Sequence, residues 1–373
     1  MIYLDHAATT PLRPEAVEAM APFSSGRFGN SSGSHAISRQ AKNTLEEARE
    51  RAAAIVGAKP LEIVFTGGGT EANNLAVKGA ALVGGGRGGV VTTAIEHEAV
   101  LEPAAFLERL GSEVSVIGVN GFGVVDPADV AAAVTPRTSV VSVMTVNNET
   151  GIIQPIAKVV NAVKNTNSSI AVHTDAVQAF SSRDLDVNEL GIDLLSLAAH
   201  KFGGPQGVGL LYVREGVALE PVLHGGGQEL GRRSGTHNVA GVVGMVAAME
   251  VAARDRPRFV ETVTEARKRF EAKLSDRVER TVPDVLTSPH HCHLLLPVTA
   301  ETMLVLLDRL GLAASAGSAC QSGAAKVSHV LTAMGLSADE ARRCLRFSFG
   351  WTSTADEGER AAELVLAALE TAS

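Results

Sequence analysis

Aromatic residues and cysteine are both scarce in this 373-residue sequence: Phe, Tyr and Trp together make up 4% of it, and cysteine occurs three times. Because hydrophobic residues still make up 45%, the core must be large but mostly aliphatic. The odd number of widely spaced cysteines, Cys292, Cys320 and Cys344, excludes a disulfide framework. Such cysteine usage is typical of the reducing cytoplasm, where we expect the protein to reside.

Long blocks of like charge and long hydrophobic runs are also missing. The formal net charge of −8 argues against the basic surface that nonspecific nucleic-acid binding requires. The longest weakly polar stretch, NVAGVVGMVAAM (238–249), is too short and too rich in small residues to span a bilayer. The first residues, MIYLDHAATTP, lack the basic-then-apolar order of a signal peptide. We therefore expect neither a nucleic acid nor a membrane as a partner.

Short apolar, β-branched runs alternate with helical or loop segments before residue 254. Because the runs are continuous, they predict strands covered on both faces, as in a largely parallel α/β sheet. After residue 254 a long charged helix and an α+β pattern follow. We assign residues 13–253 to a large domain with a mainly parallel seven-stranded sheet, and residues 1–12 and 254–373 to a small α+β domain. The predicted strands are 62–65, 89–94, 114–119, 139–146, 170–175, 193–199 and 208–213.

Two helices have ends that the sequence marks. Residues 35–58 carry apolar side chains every three or four positions and end near Gly57, as expected for an amphipathic helix. Near the C-terminus, Thr354 and Glu357 have the spacing of a capping box, which predicts the start of the last helix.

The stretch FTGGGTEANNLAVKGA (65–80) places three glycines between a strand and a helix. Backbone N–H groups at a helix start attract anions, and Thr70 could add a hydroxyl. The P-loop pattern is absent because no Gly-Lys-Ser/Thr follows, and GxGxxG is absent because its third glycine is missing. The alternative to a phosphate site is a tight turn without a ligand.

Two polar groups follow predicted strands, at the edge where α/β sheets bind ligands. Asp175, with Gln178 three residues later, could pair with a protonated ring nitrogen, and the alternative is an aspartate that caps the next helix. His97 could stack on a ligand or move a proton, and the alternative is a histidine that begins a helix.

Two basic residues lie in apolar surroundings. Lys201 follows His200 in AAHKFGGPQGVGLLYV (198–213), between an apolar strand and a glycine-rich turn. A desolvated amine at such a place suits a Schiff base, and the alternative is an ordinary surface lysine. Arg346 lies in the apolar strand CLRFSFG (344–350), where a buried guanidinium needs an anionic ligand or a structural ion pair.

PHHCHLL (289–295) contains side chains that metals bind. In a strand, His291 and His293 share one face while Cys292 points to the other. Two ligands do not make a zinc site, so we expect no metal.

Cys320 lies in ASAGSACQSGAAKVSH (314–329), where Gly, Ser and Ala cannot bury it. Ordering such a stretch costs much backbone entropy, so we expect a mobile loop that carries either a functional or an idle thiol. Cys292 and Cys344 have apolar neighbours and are expected to be buried structural residues.

A phosphate cradle, an acid for a pyridine nitrogen, a Schiff-base lysine and a carboxylate-binding arginine together describe a pyridoxal-phosphate enzyme. The sequence resembles the cysteine desulfurases of the class V aminotransferase group, of the kind that serves iron–sulfur cluster assembly. The resemblance covers nearly the whole chain and implies the fold type I of pyridoxal-phosphate-dependent transferases. The matching motifs, in the family's order, are YLDHAATTP, FGNSSGSH, TGGGTEANNLA, EHEAV, VNNETGIIQPI, HTDAVQ, AHKFGGPQGVG, GGGQELGRRSGT, SAGSAC and LRFSFG.

The resemblance implies pyridoxal 5'-phosphate as cofactor and assigns residues to it. Lys201 would carry the cofactor and later move the proton at the substrate Cα. Asp175 would keep the pyridine nitrogen protonated, and Gln178 would bond to the phenolic oxygen. The residues implied to hold the phosphate are Gly69, Thr70 and His200.

Further residues are implied to act on the substrate or across subunits. His97 would lie over the ring and take the proton of the substrate thiol. Asn148 and Arg346 would bind the substrate carboxylate. Thr236 would reach the phosphate in the other subunit, which implies a homodimer with composite sites.

The resemblance implies that Cys320 is the sulfur acceptor. Its thiolate would attack the Sγ of bound L-cysteine, leaving a persulfide on Cys320 and, after protonation, L-alanine. The sulfur would then pass to a partner such as an iron–sulfur scaffold protein. The SAGSAC context resembles the long-loop branch of the family, in which a tethered cysteine can reach both the active site and a docked protein.

Two positions depart from the family's pattern. Ala198 stands where the family usually has Ser or Thr, which removes one phosphate hydrogen bond and lowers cofactor affinity. Ser196 lies on the same strand face but about 7 Å further back. Gly69 replaces a common alanine, which is a mild change. Neither position removes a group that the chemistry needs.

Three other functions would account for parts of this pattern. Another class V enzyme, an aminotransferase or a selenocysteine lyase, would share Lys201 and Asp175 but would not need Cys320. A non-catalytic sulfur carrier would keep only the fold and a partner surface, and the intact Lys201 and Arg346 argue against it. The third alternative, a nicotinamide-dependent dehydrogenase, is supported by the glycine turn alone.

Overall fold

The computed structural model describes residues 1–274, 276–316 and 327–372. Cys320, the predicted sulfur acceptor, lies outside these ranges, as does most of its predicted loop. The strands are β1 (Ile2–Tyr3), β2 (Ile63–Thr66), β3 (Gly89–Thr93), β4 (Val114–Ile117), β5 (Thr138–Ser142), β6 (Ala171–Asp175), β7 (Leu194–Ala198), β8 (Gly209–Val213), β9 (Glu279–Arg280), β10 (His291–Leu295), β11 (Leu312–Ala313) and β12 (Cys344–Ser348).

The helices alternate with these strands through the first two thirds of the chain and dominate the rest. They are α1 (Pro14–Ser25), α2 (Ala36–Ile55), α3 (Gly69–Ala81), α4 (Glu98–Arg109), α5 (Pro127–Ala132), α6 (Ile156–Thr166), α7 (Val187–Leu190), α8 (Val239–Arg254), α9 (Arg256–Leu274), α10 (Ala300–Arg309), α11 (His329–Ala333), α12 (Ala338–Ala341) and α13 (Ala355–Ala372).

The seven predicted strands form one sheet in the order β2-β8-β7-β6-β5-β3-β4. Its neighbours are parallel except at β8, which runs antiparallel to both β2 and β7. Only a short connection joins β7 to β8, which is too short for a parallel crossover. The prediction of a mainly parallel seven-stranded sheet is confirmed. Because β2, β3, β5, β6 and β7 run in one direction, their carboxyl ends lie along the same edge.

Burial explains why the strand sequences are continuously apolar. Every residue of β6, β7 and β8 is buried, since helices cover both faces of the sheet. β4 lies at one edge of the sheet and is only partly buried, whereas β2 at the other edge is buried throughout. The main core combines these strands with residues of α2, α6 and α8.

A second core forms around residues after α8. The antiparallel sheet β12-β10-β9 packs with α9 and α13, and β1 pairs in parallel with β11. Ile2 and Leu4 belong to this core together with Phe270 and Phe347. On this basis we propose that residues 1–12 and 254–373 act as the small domain and residues 13–253 as the large one.

The predicted helix ends agree with the structure to within a few residues. α2 starts one residue and ends three residues inside the predicted range, because the His35 side chain caps its start and Gly57 adopts a positive φ of 71° after its end. The capping box of α13 is confirmed: Thr354 Oγ1 accepts from Glu357 N at 3.2 Å, and Glu357 Oε2 accepts from Thr354 N at 3.0 Å. Within the described ranges, none of the helices has the length and apolarity of a membrane span.

Candidate active site

A cavity of about 460 Å³ opens at the carboxyl edge of the large sheet. Loops after β2, β3, β5, β6 and β7 line it, and β12 of the second sheet closes one side. The volume suits a cofactor with a small substrate. We call it the site cavity. It brings together nearly all the described residues that the sequence assigned to the site: Gly69, Thr70, His97, Asn148, Asp175, Gln178, His200, Lys201 and Arg346.

The glycine turn after β2 forms a cradle at the start of α3. Gly68 precedes the helix with a φ of 148°, which a side chain disfavours, and no side chain caps the helix. A Cβ on Gly69 would lie 3.0 Å from Val177 Cγ2 and 3.2 Å from Ala198 Cβ. The first N–H groups of α3, with Thr70 beside them, therefore face a space suited to an anion.

Asp175 lies at the end of β6 and is only 5% exposed. Its Oδ2 accepts from Asn73 Nδ2 at 2.6 Å, and its Oδ1 accepts from Val177 N at 3.0 Å. The second bond closes a turn and does not cap a helix, because residues 177–182 form turns and the next helix begins at Val187. The alternative of an aspartate that caps the next helix is therefore wrong. Two donors hold the carboxylate at the wall of the cavity, where a protonated ring nitrogen could bind it.

Lys201 ends a short 3₁₀ turn (Ala199–Lys201) after β7. Its Nζ donates to the carbonyl oxygens of Ala7 and Ala8, the latter at 2.8 Å. Gln178 Nε2 also donates to the Ala7 oxygen at 2.8 Å. The N-terminal segment thus positions both side chains, so the alternative of an ordinary surface lysine is not what the structure shows.

His200 lies beside the cradle, where its Nδ1 is 3.2 Å from Thr9 Oγ1. Burial, with a contribution from the neighbouring Lys201 charge, lowers the pKa of His200 to about 4. The ring is therefore neutral at neutral pH and can donate a hydrogen bond without carrying charge.

His97 caps the start of α4, where its Nδ1 accepts from Ala99 N at 3.0 Å. It therefore begins a helix and lines the site cavity at the same time. The preceding residue, Glu96, is completely buried, and its Oε1 accepts from Thr93 Oγ1 at 2.6 Å and from Met144 N at 2.9 Å. Burial raises the pKa of Glu96 to about 8, so this carboxyl is protonated at neutral pH.

Arg346 projects from β12 into the cavity, and its side chain is only 4% exposed. One terminal nitrogen donates to Asp5 Oδ1 at 2.7 Å and the other to the Asn148 carbonyl oxygen at 2.7 Å. Arg346 therefore forms the structural ion pair that was the alternative to binding an anionic ligand. The Arg346 Nε is buried and makes no hydrogen bond to a described residue.

The described residues on either side of the Cys320 stretch are attached to site residues. Before it, Ser315 exchanges two backbone hydrogen bonds with Arg346, at 2.7 and 3.2 Å. After it, Ser328 Oγ donates to Glu149 Oε2 at 2.6 Å, and His329 Nε2 lies 2.9 Å from the Glu96 carbonyl oxygen. Burial raises the pKa of Glu149, although Ser328 opposes the effect.

Thr236 does not reach the site cavity of its own chain and lies exposed on the loop before α8. Glu229 holds this loop, because it accepts two hydrogen bonds from Arg49 at 2.7 and 2.9 Å. Glu229 and Leu230 have positive φ angles of 49° and 58°, a strained backbone that the buried ion pair maintains. The role of Thr236 toward a second subunit stays a prediction.

The remaining predicted groups lie away from the cavity. Cys292 and Cys344 are buried as expected. Burial raises the pKa of the Cys292 thiol well above its usual range and that of Cys344 to about 12. Among the described residues, no three His, Cys, Asp or Glu side chains are grouped as metal ligands would be.

The sequence did not point to several residues that shape the site. Asp5, Asn73, Glu96 and Glu149 each contact a predicted site residue or flank one. Glu96 precedes His97 and Glu149 follows Asn148 in the matching motifs. Their position next to predicted site residues was the one feature of the sequence that could have indicated them. Asp5 is separated from Arg346 by nearly the whole chain, so no local pattern could have paired them.

Comparisons with known proteins agree with this geometry. The sequence model of the aminotransferase class V family matches residues 2–360. The chain belongs to this family. A cysteine desulfurase IscS from Dictyoglomus turgidum is 43% identical over 365 residues, which cover 95% of this chain and 91% of the relative.

Solved structures show the same likeness. A NifS-like protein superposes with a TM-score of 0.93 at 34% identity, covering 99% of both chains. A structure of SspA in complex with cysteine has a TM-score of 0.83 at 36% identity, covering 94% of this chain and 99% of the other. The expected resemblance to cysteine desulfurases and the pyridoxal-phosphate fold type I are confirmed.

The site also fits the pyridoxal 5'-phosphate that this family uses. The cradle offers N–H groups that no side chain caps, next to Gly69, where an added Cβ would lie 3.0 Å from Val177 Cγ2. The donor set adds an amine, a buried carboxylate and an amide around one cavity. These groups match the phosphate, the aldehyde, the ring nitrogen and the phenolic oxygen of the cofactor.

Proposed function

We propose that this protein converts L-cysteine and the thiol of Cys320 into L-alanine and a persulfide on Cys320. The protein is a pyridoxal-phosphate-dependent cysteine desulfurase, and the proposal concerns which residue does what. The observation that carries it is the meeting of Lys201, Asp175 and Arg346 on one cavity, although each comes from a different element. An amine, an acid and a carboxylate-binding cation are the groups that this chemistry needs on an amino-acid substrate.

The cofactor, when bound, supplies an electron sink that makes the substrate Cα proton acidic. Gly69, Thr70 and His200 would hold its phosphate at the start of α3. Asp175 would pair with the ring nitrogen, and Gln178 would donate to the phenolic oxygen. Support comes from the uncapped helix start and from the two donors that fix the Asp175 carboxylate.

Arg346 and Asn148 would bind the substrate carboxylate. The guanidinium already contacts an anionic partner, Asp5, at 2.7 Å. A substrate carboxylate would therefore share the guanidinium with Asp5 or take the place of Asp5. This arrangement orients the substrate with its Cα toward Lys201, which would carry the Cα proton.

His97 would act on the substrate thiol. Because its Nδ1 accepts from Ala99 N, the proton of the neutral ring lies on Nε2. The ring therefore donates from Nε2 as it stands. To take the thiol proton there, it must first release that proton or give up the hydrogen bond to Ala99.

The sulfur step is balanced without an external oxidant. An S–S bond forms between Cys320 Sγ and the substrate Sγ, and the Cβ–Sγ bond of the substrate breaks. The bonding electron pair stays with Cβ, which gains a proton, so carbon is reduced as sulfur is oxidised. The proton lost from the Cys320 thiol balances the proton gained at Cβ. The attachments of Ser315 and Ser328 to Arg346 and Glu149 support a cysteine that works at this cavity.

The persulfide would pass its sulfur to an acceptor protein such as an iron–sulfur scaffold. We further propose a cytoplasmic homodimer in which Thr236 of each subunit completes the phosphate site of the other. The exposed Thr236 loop, which the buried Arg49–Glu229 pair holds in a strained conformation, supports this arrangement.

The function is tested by mixing holoenzyme with L-cysteine and a reductant and measuring L-alanine and sulfide. We expect equal amounts of both. Alanine that forms only from selenocysteine would favour a selenocysteine lyase. Amino-group transfer to a 2-oxo acid, without sulfide release, would favour an aminotransferase.

A further inference from the structure

A second, much smaller cavity lies next to the site cavity and shares Lys201 and Gln178 with it. Its volume is about 20 Å³, which suits one water molecule. His6 and His290 give it two further polar walls, and aromatic rings close other sides. We call it the small cavity. The catalytic steps proposed above leave it without a role.

His6 lines this cavity and carries an unsatisfied polar atom. The residue is 5% exposed, and its Nδ1 lies 2.7 Å from Thr10 Oγ1. Its Nε2 makes no hydrogen bond to any described residue. The ring also packs closely against Gly350, where an added Cβ would lie only 2.0 Å from its Nδ1. A buried ring nitrogen without a partner costs free energy, and a water in the small cavity would satisfy it.

His290 continues the polar contacts away from the small cavity. Its Nδ1 lies 3.0 Å from Ser288 Oγ, which lies 3.3 Å from Ser182 Oγ. His290 and Ser288 are buried, whereas Ser182 is partly exposed. Imidazole and hydroxyl groups thus form an unbroken series from the cavity wall to the surface.

Both histidines are suited to pass protons without storing them. Burial lowers the pKa of His6 to about 4 and that of His290 to about 3. A neutral imidazole has one nitrogen that accepts and one that donates, so it can take a proton on one side and release another on the opposite side.

We propose that the small cavity holds a water molecule that hydrogen-bonds to Lys201 and His6, and that His290, Ser288 and Ser182 connect this water to solvent. Lys201 would then exchange its proton with solvent by a route separate from the site cavity. Each link accepts one proton as it donates another, so no charge accumulates. The inference rests on the proposed function, because it is the role of Lys201 as proton carrier that gives the route a use.

Hydrogen exchange at the substrate Cα tests the route. Holoenzyme in D₂O receives L-cysteine with ordinary hydrogen at Cα, and the hydrogen retained at Cα of the L-alanine product is measured by mass spectrometry. The wild type should retain little, because Lys201 exchanges before it returns the proton. Ser288→Ala breaks the series and should raise retention several-fold. His6→Phe should do the same, and His6→Gln, which keeps a side-chain amide in place of Nε2, should return retention toward the wild-type value.

Thr281→Ala is the matched control. Thr281 Oγ1 lies 2.7 Å from His293 Nδ1, so it is the same kind of hydroxyl–imidazole pair, but neither residue lines the small cavity. The Thr281→Ala variant should retain as much hydrogen at Cα of L-alanine as the wild type does. An equal rise in Thr281→Ala would overturn the proposal, as would unchanged retention in both Ser288→Ala and His6→Phe.

A crystal structure of the holoenzyme tests the water directly. We expect an ordered water within hydrogen-bonding distance of His6 Nε2, and a dry cavity would overturn the proposal. Failure of the proposed function and failure of the proton route would give different results. If wild-type protein made no alanine at all, the proposed function would be wrong, whereas alanine formation with an unaltered isotope pattern or a dry cavity would contradict only the proton route.

Discussion

The Cβ of Ala198 lies 3.2 Å from the point where a Cβ on Gly69 would stand. The end of β7 and the start of α3 therefore approach each other closely at the phosphate cradle. The missing side chain at Gly69 leaves room beside Ala198, and Ala198 itself offers no hydroxyl. The two departures from the family's pattern thus meet at one place.

Replacing Ala198 with Ser should strengthen cofactor binding. A hydroxyl at this position would donate to the cofactor phosphate, and a hydrogen bond to a charged group contributes about 1.5 kcal/mol, or roughly tenfold in Kd. Titration of apoprotein with pyridoxal phosphate measures the effect. Ser196→Ala is the control: Ser196 Oγ lies 2.9 Å from His173 Nε2, away from the cradle, and its loss should leave Kd unchanged. An unchanged Kd in Ala198→Ser would mean that residue 198 does not face the phosphate.

Arg346→Ala should raise KM for L-cysteine by about a hundredfold. The variant removes the charged hydrogen bonds to the substrate carboxylate, which together contribute roughly 3 kcal/mol. Steady-state kinetics measure KM and kcat separately. Arg343→Ala is the control, because Arg343 lies just before the same strand but bonds to Asp339 and the Leu296 carbonyl. If both variants kept the wild-type KM, Arg346 would not bind the substrate.

Glu96→Gln should change how stability depends on pH. In the unfolded chain this carboxyl loses its proton near pH 4.5, whereas in the folded protein it keeps the proton until about pH 8. Between these values the unfolded state binds fewer protons, so rising pH destabilises the wild type. The glutamine variant lacks this dependence. Its Tm should exceed that of the wild type by a margin that grows from pH 5 to 8, on the order of 5 °C at the upper end.

Thermal unfolding across this pH range provides the measurement. Glu102→Gln is the control, since Glu102 is an exposed carboxylate on α4, six residues after Glu96. Its curve should run parallel to that of the wild type. If the Glu96→Gln curve were also parallel, Glu96 would titrate alike in both states, and its buried protonated form would be wrong.

His97 should carry its proton on Nε2. The hydrogen bond from Ala99 N to Nδ1 at 3.0 Å requires an unprotonated Nδ1. In ¹⁵N NMR of histidine-labelled protein, assigned with His97→Gln, the Nδ1 signal should be that of an unprotonated nitrogen at neutral pH. A protonated Nδ1 would show that the helix cap is not made in solution and that Nε2 is ready to accept a proton.

The sequence predicted the seven-stranded sheet because each strand is a continuous apolar run. Such runs depend only on burial, which the sequence expresses residue by residue. The site residues that follow strand ends, Asp175 and Lys201, were also predictable, because carboxyl ends of parallel strands meet at one edge. The structure places both on the site cavity.

Contacts between distant segments were beyond what local patterns express. Asp5 pairs with Arg346 only because β1 pairs with β11 and the N-terminal segment that follows β1 lies beside β12. The carbonyl oxygens of Ala7 and Ala8, which hold Lys201, have no side-chain signal at all. Glu96 looks like an ordinary charged residue in the sequence, and its hydrogen bond from Met144 N joins residues that are 48 positions apart.

The most direct test of the central claim is to locate the sulfur after a single turnover. Holoenzyme is mixed with one equivalent of L-cysteine without reductant, alkylated, digested and analysed by peptide mass spectrometry, beside Cys320→Ala. The account predicts one additional sulfur on the peptide that contains Cys320, none on those containing Cys292 or Cys344, and no alanine from the variant. Sulfur on another cysteine, or alanine formation by Cys320→Ala equal to that of the wild type, would contradict it.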